Sequence, residues 1–213
     1  LYATHFTDAF DPRASGVGPM PAAWQDWLLT RHPLPRLASG EAIAWTDALA
    51  NDLPLPPLEV APPDLPILPY TSGTTGNPKG CLHPHRSILH NAMASSVWGN
   101  ATAETVTLAV VPMFHITGMV SMMHSNIYTG ATLVMMPRWD RDLAGWLISN
   151  WKVTSWTNIP TMVIDLLGSP NFASYDLSSL VHISGGGAAM PQAVAQRLLE
   201  QFGLRYVEGY GLT

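Results

Sequence analysis

Tyr70-Thr71-Ser72-Gly73-Thr74-Thr75-Gly76-Asn77-Pro78-Lys79-Gly80 is the stretch on which the reading of this 213-residue chain turns. Its three glycines, Gly73, Gly76 and Gly80, let a ligand approach the backbone closely. Successive backbone N–H groups in such a turn can form a concave nest for an anion. Thr71, Ser72, Thr74 and Thr75 add hydroxyl donors, and Lys79 adds a positive charge. These are the parts needed to hold a polyphosphate. The segment is not the G-x-x-x-x-G-K loop, because Pro78 stands where that pattern has its second glycine. A Gly/Ser/Thr-rich surface turn is the plainer reading of an isolated S-G-T-T-G; the eleven residues in this order favour phosphate.

Working outward from the loop, the downstream chain alternates between two periodicities. Short β-branched or apolar runs at 106–111, 131–136, 153–159 and 180–184 read as strands. Between and after them, 85–98, 116–128, 143–151, 161–167 and 191–202 are long enough for helices. In the last of these, Val194, Ala195, Leu198, Leu199 and Phe202 form an apolar stripe behind Pro191, which suits a first turn. Alternating strands and helices predict an α/β fold, a mostly parallel sheet flanked by helices, with ligands at the carboxyl ends of the strands. Upstream, 21–29 reads as a helix with Trp24, Trp27 and Leu28 on one side, and 39–49 as another burying Ile43 and Trp45. Residues 53–69 hold seven prolines in 17 residues and form an extended linker. The expected division is therefore an irregular, short-helical lead-in at 1–65 and an α/β subdomain at 66–213.

Composition excludes several classes. A net charge of −5 argues against nucleic acid as the main partner, since phosphate backbones require clustered Lys and Arg. No apolar run of about 18 residues exists, so no membrane span is predicted. The single Cys81 cannot form an internal disulfide and suits a reducing cytoplasm. Charged residues make up only 12% of the chain, against about 25% in an average domain, which suggests surfaces covered by something else. The opening Leu1-Tyr2-Ala3 reads as a cut inside a longer protein.

Three further segments carry chemistry: Pro112-Met113-Phe114-His115-Ile116-Thr117-Gly118, Ser184-Gly185-Gly186-Gly187-Ala188-Ala189-Met190-Pro191, and Gly209-Tyr210-Gly211-Leu212-Thr213. With the phosphate loop, and in this order, they resemble the acyl-adenylate-forming superfamily of acyl-CoA synthetases, peptide-synthetase adenylation domains and firefly luciferase. The resemblance covers residues 70–213 and is weak before 65. It implies part of that superfamily's large N-terminal domain. It also implies that Thr71, Ser72, Gly73, Thr74, Thr75, Gly76 and Lys79 grip the β- and γ-phosphates of ATP. Gly186, Gly187 and Ala188 would line the adenine and acyl pockets, and Tyr210, with Gly211, would stack on adenine. His115 and Thr213 would be catalytic, at the carboxylate and the α-phosphate.

The implied function is ATP-dependent activation of a carboxylic acid to its acyl-adenylate, with release of pyrophosphate and then transfer to CoA. ATP, magnesium, the acid and CoA are the implied partners. No metal ligand is assigned: the family's magnesium-binding Glu would follow Thr213, and Cys81, His83 and His85 read as an ordinary strand. The remainder of a longer chain is expected to complete the site, and the isolated fragment to be inactive. Peptide-synthetase domains carry an Asp where this chain has His115, so a neutral acid is favoured. A fatty acid ranks first, on the strength of Met113, Met119, Met122 and Met123, although these equally suit helix-packing core. An aryl-acid CoA ligase ranks second, and a non-catalytic nucleotide-binding fragment is the remaining alternative.

Overall fold

The computed structural model describes residues 2–3, 20–33, 36–38, 40–54, 56–71, 73 and 76–213. The chain forms two compact units, Leu1–Glu59 and Val60–Thr213.

The first unit holds β1 (Tyr2–Ala3), α1 (Ala22–Leu29), β2 (Arg36–Leu37), β3 (Gly40–Glu41), β4 (Ile43–Ala44) and α2 (Trp45–Ala50). β1 runs parallel to β4, and β2 antiparallel to β3. The spacing of α1 works as expected: Trp24 and Leu28 are buried, and Trp27 sits edge-on to Trp24 with ring centroids 5.1 Å apart. The helix expected over 39–49 is not observed. The chain is extended at β3 and β4 and turns helical only at Trp45, while Ser39 lies outside the described residues. β-branched Ile43 fits extended backbone better than a helical turn. Ile43 and Trp45 are 46% and 45% exposed rather than buried.

The second unit begins with a correction to the linker reading. A turn at 61–64 is closed by Asp64, whose backbone N–H donates to the Ala61 carbonyl and whose carboxylate accepts from the Ala61 N–H. The carbonyls of Asp64 and Pro62 then accept the N–H groups of His85 and Arg86. Two of the orphan donors at a helix start are thereby satisfied by backbone. The end of the proline-rich stretch is a helix cap as well as a connection.

From there the order is α3 (His85–Trp98), β5 (Val106–Ala109), a π-helix (Thr117–His124) continuous with α4 (Ser125–Thr129), β6 (Thr132–Met135), α5 (Arg141–Trp151), β7 (Ser155–Asn158), α6 (Pro160–Leu167), a 3-10 turn (Phe172–Ser174), β8 (His182–Gly186), α7 (Gln192–Phe202) and β9 (Tyr206–Gly209). The five strands form one all-parallel sheet in the order β6-β5-β7-β8-β9. The four expected strands are present, trimmed or shifted by one or two residues; β9 and the π-helix were not anticipated.

One face of the sheet is the core. Register pairs Leu108 with Val134 and Trp156, and Trp156 with Ile183. All four are buried, as are Leu143, Leu147 and Ile148 of α5 and Val163 and Leu166 of α6. Trp156 stacks nearly parallel on Trp139 at 5.9 Å, and the Trp139 indole N–H donates to Asp165. Asp140 caps α5 by accepting from the N–H groups of Asp142 and Leu143. On α7 the stripe is narrower than expected. Leu198 is buried and Phe202 packs edge-on to Phe172, but Leu199 is 49% exposed. Five positions span more of the helix circumference than one packed face covers. No helix among the described residues is long and apolar enough to cross a membrane.

Candidate active site

β5 is followed by a connection to β6 on one side, whereas β7 is followed by a connection to β8 on the other. Where neighbouring parallel strands send their connections apart, a crevice opens at their carboxyl ends. A cleft of about 780 Å³ occupies this place and continues along the sheet under α3 and the π-helix. Phe114 and His115 enter it after β5, Ile159 and Met162 after β7, Gly185 to Gly187 at the end of β8, and Gly209 to Thr213 at the end of β9.

His115 sits in the turn that joins β5 to the π-helix. Its backbone N–H donates to the Pro112 carbonyl at 2.9 Å, and its carbonyl accepts from Met119 at 2.9 Å. Its Nδ1 accepts from the Thr117 N–H at 3.2 Å. The histidine therefore caps the π-helix. That bond requires a bare Nδ1, so the neutral ring carries its proton on Nε2. Nε2–H is then the group available to a carboxylate. Gly118 fixes the turn: a Cβ there would lie 2.6 Å from the Val111 carbonyl oxygen and closer still to that of Pro112.

Across the cleft, Gly186 and Gly187 leave the end of β8, and Tyr210, 90% exposed, follows β9. Glu208 ties the two loops together, its Oε1 accepting from the Met190 N–H at 2.6 Å. Tyr206 on β9 donates to Asn158 on β7 at 3.0 Å. Burial, reinforced by the Glu208 charge, pushes the Tyr206 phenol up to about 12, so this donor keeps its proton.

The phosphate-loop segment is a turn between two short antiparallel arms, bridged at Ile67 with His83 and at Tyr70 with Gly80. Thr71 and Lys79 close it: the Thr71 N–H donates to the Lys79 carbonyl, and the Lys79 N–H donates to the Thr71 hydroxyl. Gly73 has φ +69°, a left-handed turn position that suits glycine. Ser72, Thr74 and Thr75 lie outside the described residues. The structure thus gathers His115, Gly186, Gly187, Tyr210, Gly211 and Thr213 around one cleft. Thr71, Gly73, Gly76, Lys79 and Ala188 do not line it; His83, just past the loop, does. Among the described residues no group of three His, Cys, Asp or Glu side chains is placed to hold a metal ion.

Residues 23–213 match the family model described as "AMP-binding enzyme". The chain belongs to this family of AMP-binding enzymes. It is 36% identical over 152 residues to a long-chain-fatty-acid–CoA ligase of Bacillus subtilis (strain 168), covering 70% of this chain and 27% of that one. It is 35% identical over 161 residues to 4-coumarate–CoA ligase 4 of Arabidopsis thaliana, covering 73% and 28%. Among solved structures, the N-terminal domain of FACL13 from Mycobacterium tuberculosis matches with a TM-score of 0.70 at 29% identity, over 80% of this chain and 44% of that one. The chain thus spans little more than a quarter of these two curated relatives.

Two features of this AMP-binding chain escaped the sequence reading. Glu208 directly precedes the Gly209-Tyr210 segment, and an acidic residue at a strand end was its only signal. The other is the set of polar residues facing the cleft from the sheet, visible as period-two alternation in Ser155-Trp156-Thr157 and His182-Ile183-Ser184. His182 is half-buried, and that burial holds its imidazole below the ordinary value. The unfolded chain therefore takes up the proton first as pH falls below about 6.5. Stability from this group is complete above that pH and declines as pH falls through the lowered folded value. Denaturation midpoints should fall between about pH 7 and pH 5, and less steeply in His182→Gln. Equal slopes would show that His182 does not contribute.

Proposed function

We propose that this chain contributes the nucleotide- and acid-binding part of an acid–thiol ligase. In that reading a substrate carboxylate oxygen attacks the α-phosphorus of ATP. The bond to the β-phosphate breaks, and pyrophosphate leaves. The thiol of CoA then attacks the acyl carbon and displaces AMP. The observation that carries the proposal is the meeting of His115, the Gly186-Gly187 turn and the Tyr210 to Thr213 segment in one cleft at the sheet's switch point. His115 Nε2–H would orient the carboxylate, with its Nδ1 held by Thr117. The glycine turn would bring backbone close to the nucleotide, and Tyr210 offers an exposed ring for adenine. Thr71 to Lys79 would hold the outer phosphates. Magnesium would arrive with ATP; the described residues supply no ligand set for it. The lone Cys81 supports a cytoplasmic setting.

The acid is proposed to be neutral beyond its carboxylate. Glu208 is the one acidic residue lining the cleft among the described residues, and it is engaged by Met190. No further acidic residue lines the cleft to meet a substrate ammonium. The sequence argument for an alkyl chain loses its support, because Met113, Met119, Met122 and Met123 do not line the cleft and Met122 is fully buried.

His115→Ala in the natural gene product should slow acid-dependent pyrophosphate release. Losing one charge-assisted hydrogen bond costs about 1.5–3 kcal/mol, or roughly 10- to 150-fold in rate. Unchanged release would remove His115 from the mechanism. ATP binding with no pyrophosphate release from any acid would replace the ligase reading with a non-catalytic nucleotide-binding one.

A further inference from the structure

Buried polar side chains meet where the π-helix joins α4: Ser96 of α3, Thr107 of β5, and Ser125 and Asn126 of α4. The Asn126 amide donates to the Met122 carbonyl at 2.6 Å, and its oxygen accepts from the Thr107 hydroxyl at 2.8 Å. The Ser125 hydroxyl lies 3.0 Å from the Val120 carbonyl oxygen and 3.1 Å from that of Ala92 on α3, and its one proton serves either. The Ser96 hydroxyl donates to the Ala92 carbonyl at 2.7 Å and sits 3.4 Å from that of Ser125. A core tolerates such groups when they are hydrogen-bonded, and these are.

The carbonyls they meet are not arbitrary. An α-helix sends each N–H to the carbonyl four residues back. Here the Ser125 N–H reaches those of Val120 and Met122, five and three residues back. The same two carbonyls take the Ser125 hydroxyl and the Asn126 amide. Serine and asparagine side chains offer backbone groups an alternative to the regular helical ladder. The pair therefore holds the off-register junction at which the π-helix becomes α-helix.

What happens at this junction reaches His115. The Thr107–Asn126 bond ties α4 to β5, the strand that leads into the His115 turn. At the other end of the π-helix, the Thr117 N–H holds Nδ1 of His115. Strand, turn and π-helix thus form a loop pinned at both ends. A return to the α-helical register at the junction would put fewer residues in each turn. The residues back to Thr117 would rotate about the helix axis, and the Thr117 N–H would swing off Nδ1.

Resting on the ligase reading above, we propose that Asn126 is a positioning residue for acid activation. It acts through the π-helix on the His115 imidazole, with Thr107 as its anchor on the sheet and Ser125 as its partner at the junction.

The test uses the natural gene product. Asn126→Leu keeps the volume and removes both hydrogen bonds. It should lower kcat for acid-dependent pyrophosphate release by about tenfold or more, with the KM for ATP changed by less than about twofold. The loss should be the same for decanoic and cinnamic acids, because a residue acting through His115 touches only what every acid shares. In a double variant with His115→Ala it should cost nothing further. Thr107→Val should slow release in the same way, and Thr107→Ser, which keeps the hydroxyl, should not. That pair decides the matter should Asn126→Leu fail to fold. A substrate-free readout separates this inference from the ligase reading. Nitrogen NMR of labelled histidine should show the His115 proton on Nε2 in the natural sequence and a mixture of tautomers in Asn126→Leu or Thr107→Val. An unchanged tautomer, a loss that multiplies with that of His115→Ala, or a loss that differs between the acids overturns the proposal and leaves the ligase. Release from no acid overturns the ligase reading, and the tautomers then decide the positioning alone.

Discussion

Replacing Trp156 with alanine is expected to remove about 3–5 kcal/mol of folding stability, the range for large aromatic residues deleted from a core. Trp156 is 1% exposed and lies on β7, the middle strand of the sheet. Its neighbours in register are Leu108 and Ile183, and its ring lies against Trp139. Deletion leaves a hole bordered by backbone on two sides, which cannot collapse without moving β5 or β8. It also strips one face from Trp139, whose N–H anchors Asp165 and, through it, Arg141. A typical domain has only about 5–15 kcal/mol in total, so the variant should sit near its unfolding threshold at body temperature. Trp156→Phe should be far milder, because the Trp156 indole N–H is buried without a partner and its loss breaks no hydrogen bond. Urea denaturation measures both. A loss below about 1 kcal/mol for the alanine variant would show that this face of the sheet does not hold the fold.

How much of this was legible beforehand follows from which physical signals a linear sequence carries. Alternation of apolar runs with helical stretches pointed to the parallel sheet, because four of its five strands fall in β-branched or apolar runs. β9 was not seen, since Tyr206-Val207-Glu208-Gly209 has one apolar aliphatic residue and a charge. The segment around 116–128 was read as helix, but eight residues of it form a π-helix. Over so short a run, nothing in the side-chain pattern separates the two helical periods. Met113, Met119, Met122 and Met123, which from sequence suited either an acyl pocket or helix-packing core, do not line the cleft, whereas Thr117, Val120 and Ser121 do. π-Helical turns recur at functional sites, and this one begins two residues after His115. The glycine and aromatic motif residues could be named from sequence; the alternation in β7 and β8 was there as well, but only register shows that their polar positions share one face.

The first turn of that π-helix carries the other large expected effect. Gly118→Ala should lower the rate of acid activation by about as much as His115→Ala, up to roughly 100-fold, while leaving ATP binding nearly intact. The added Cβ would lie 2.6 Å from the Val111 carbonyl oxygen and nearer still to that of Pro112. Both are backbone atoms, so no side chain can swing aside, and the helix must move away from the end of β5. Overpacking of this kind costs about 1–3 kcal/mol, and more where backbone is the obstacle. The Pro112 carbonyl that is struck also accepts the His115 N–H, and the Thr117 N–H that steadies Nδ1 belongs to the residue before Gly118. A shift of about 1 Å there displaces Nε2 by a similar amount, enough to cost 100-fold when it disturbs the geometry of attack. A cycle with His115→Ala separates this route from a general loss of fold. If Gly118 acts by positioning His115, the double variant should be no slower than His115→Ala alone, because the group to be misplaced is already gone. Rate losses that simply multiply would mean that Gly118 serves the site by some path other than His115.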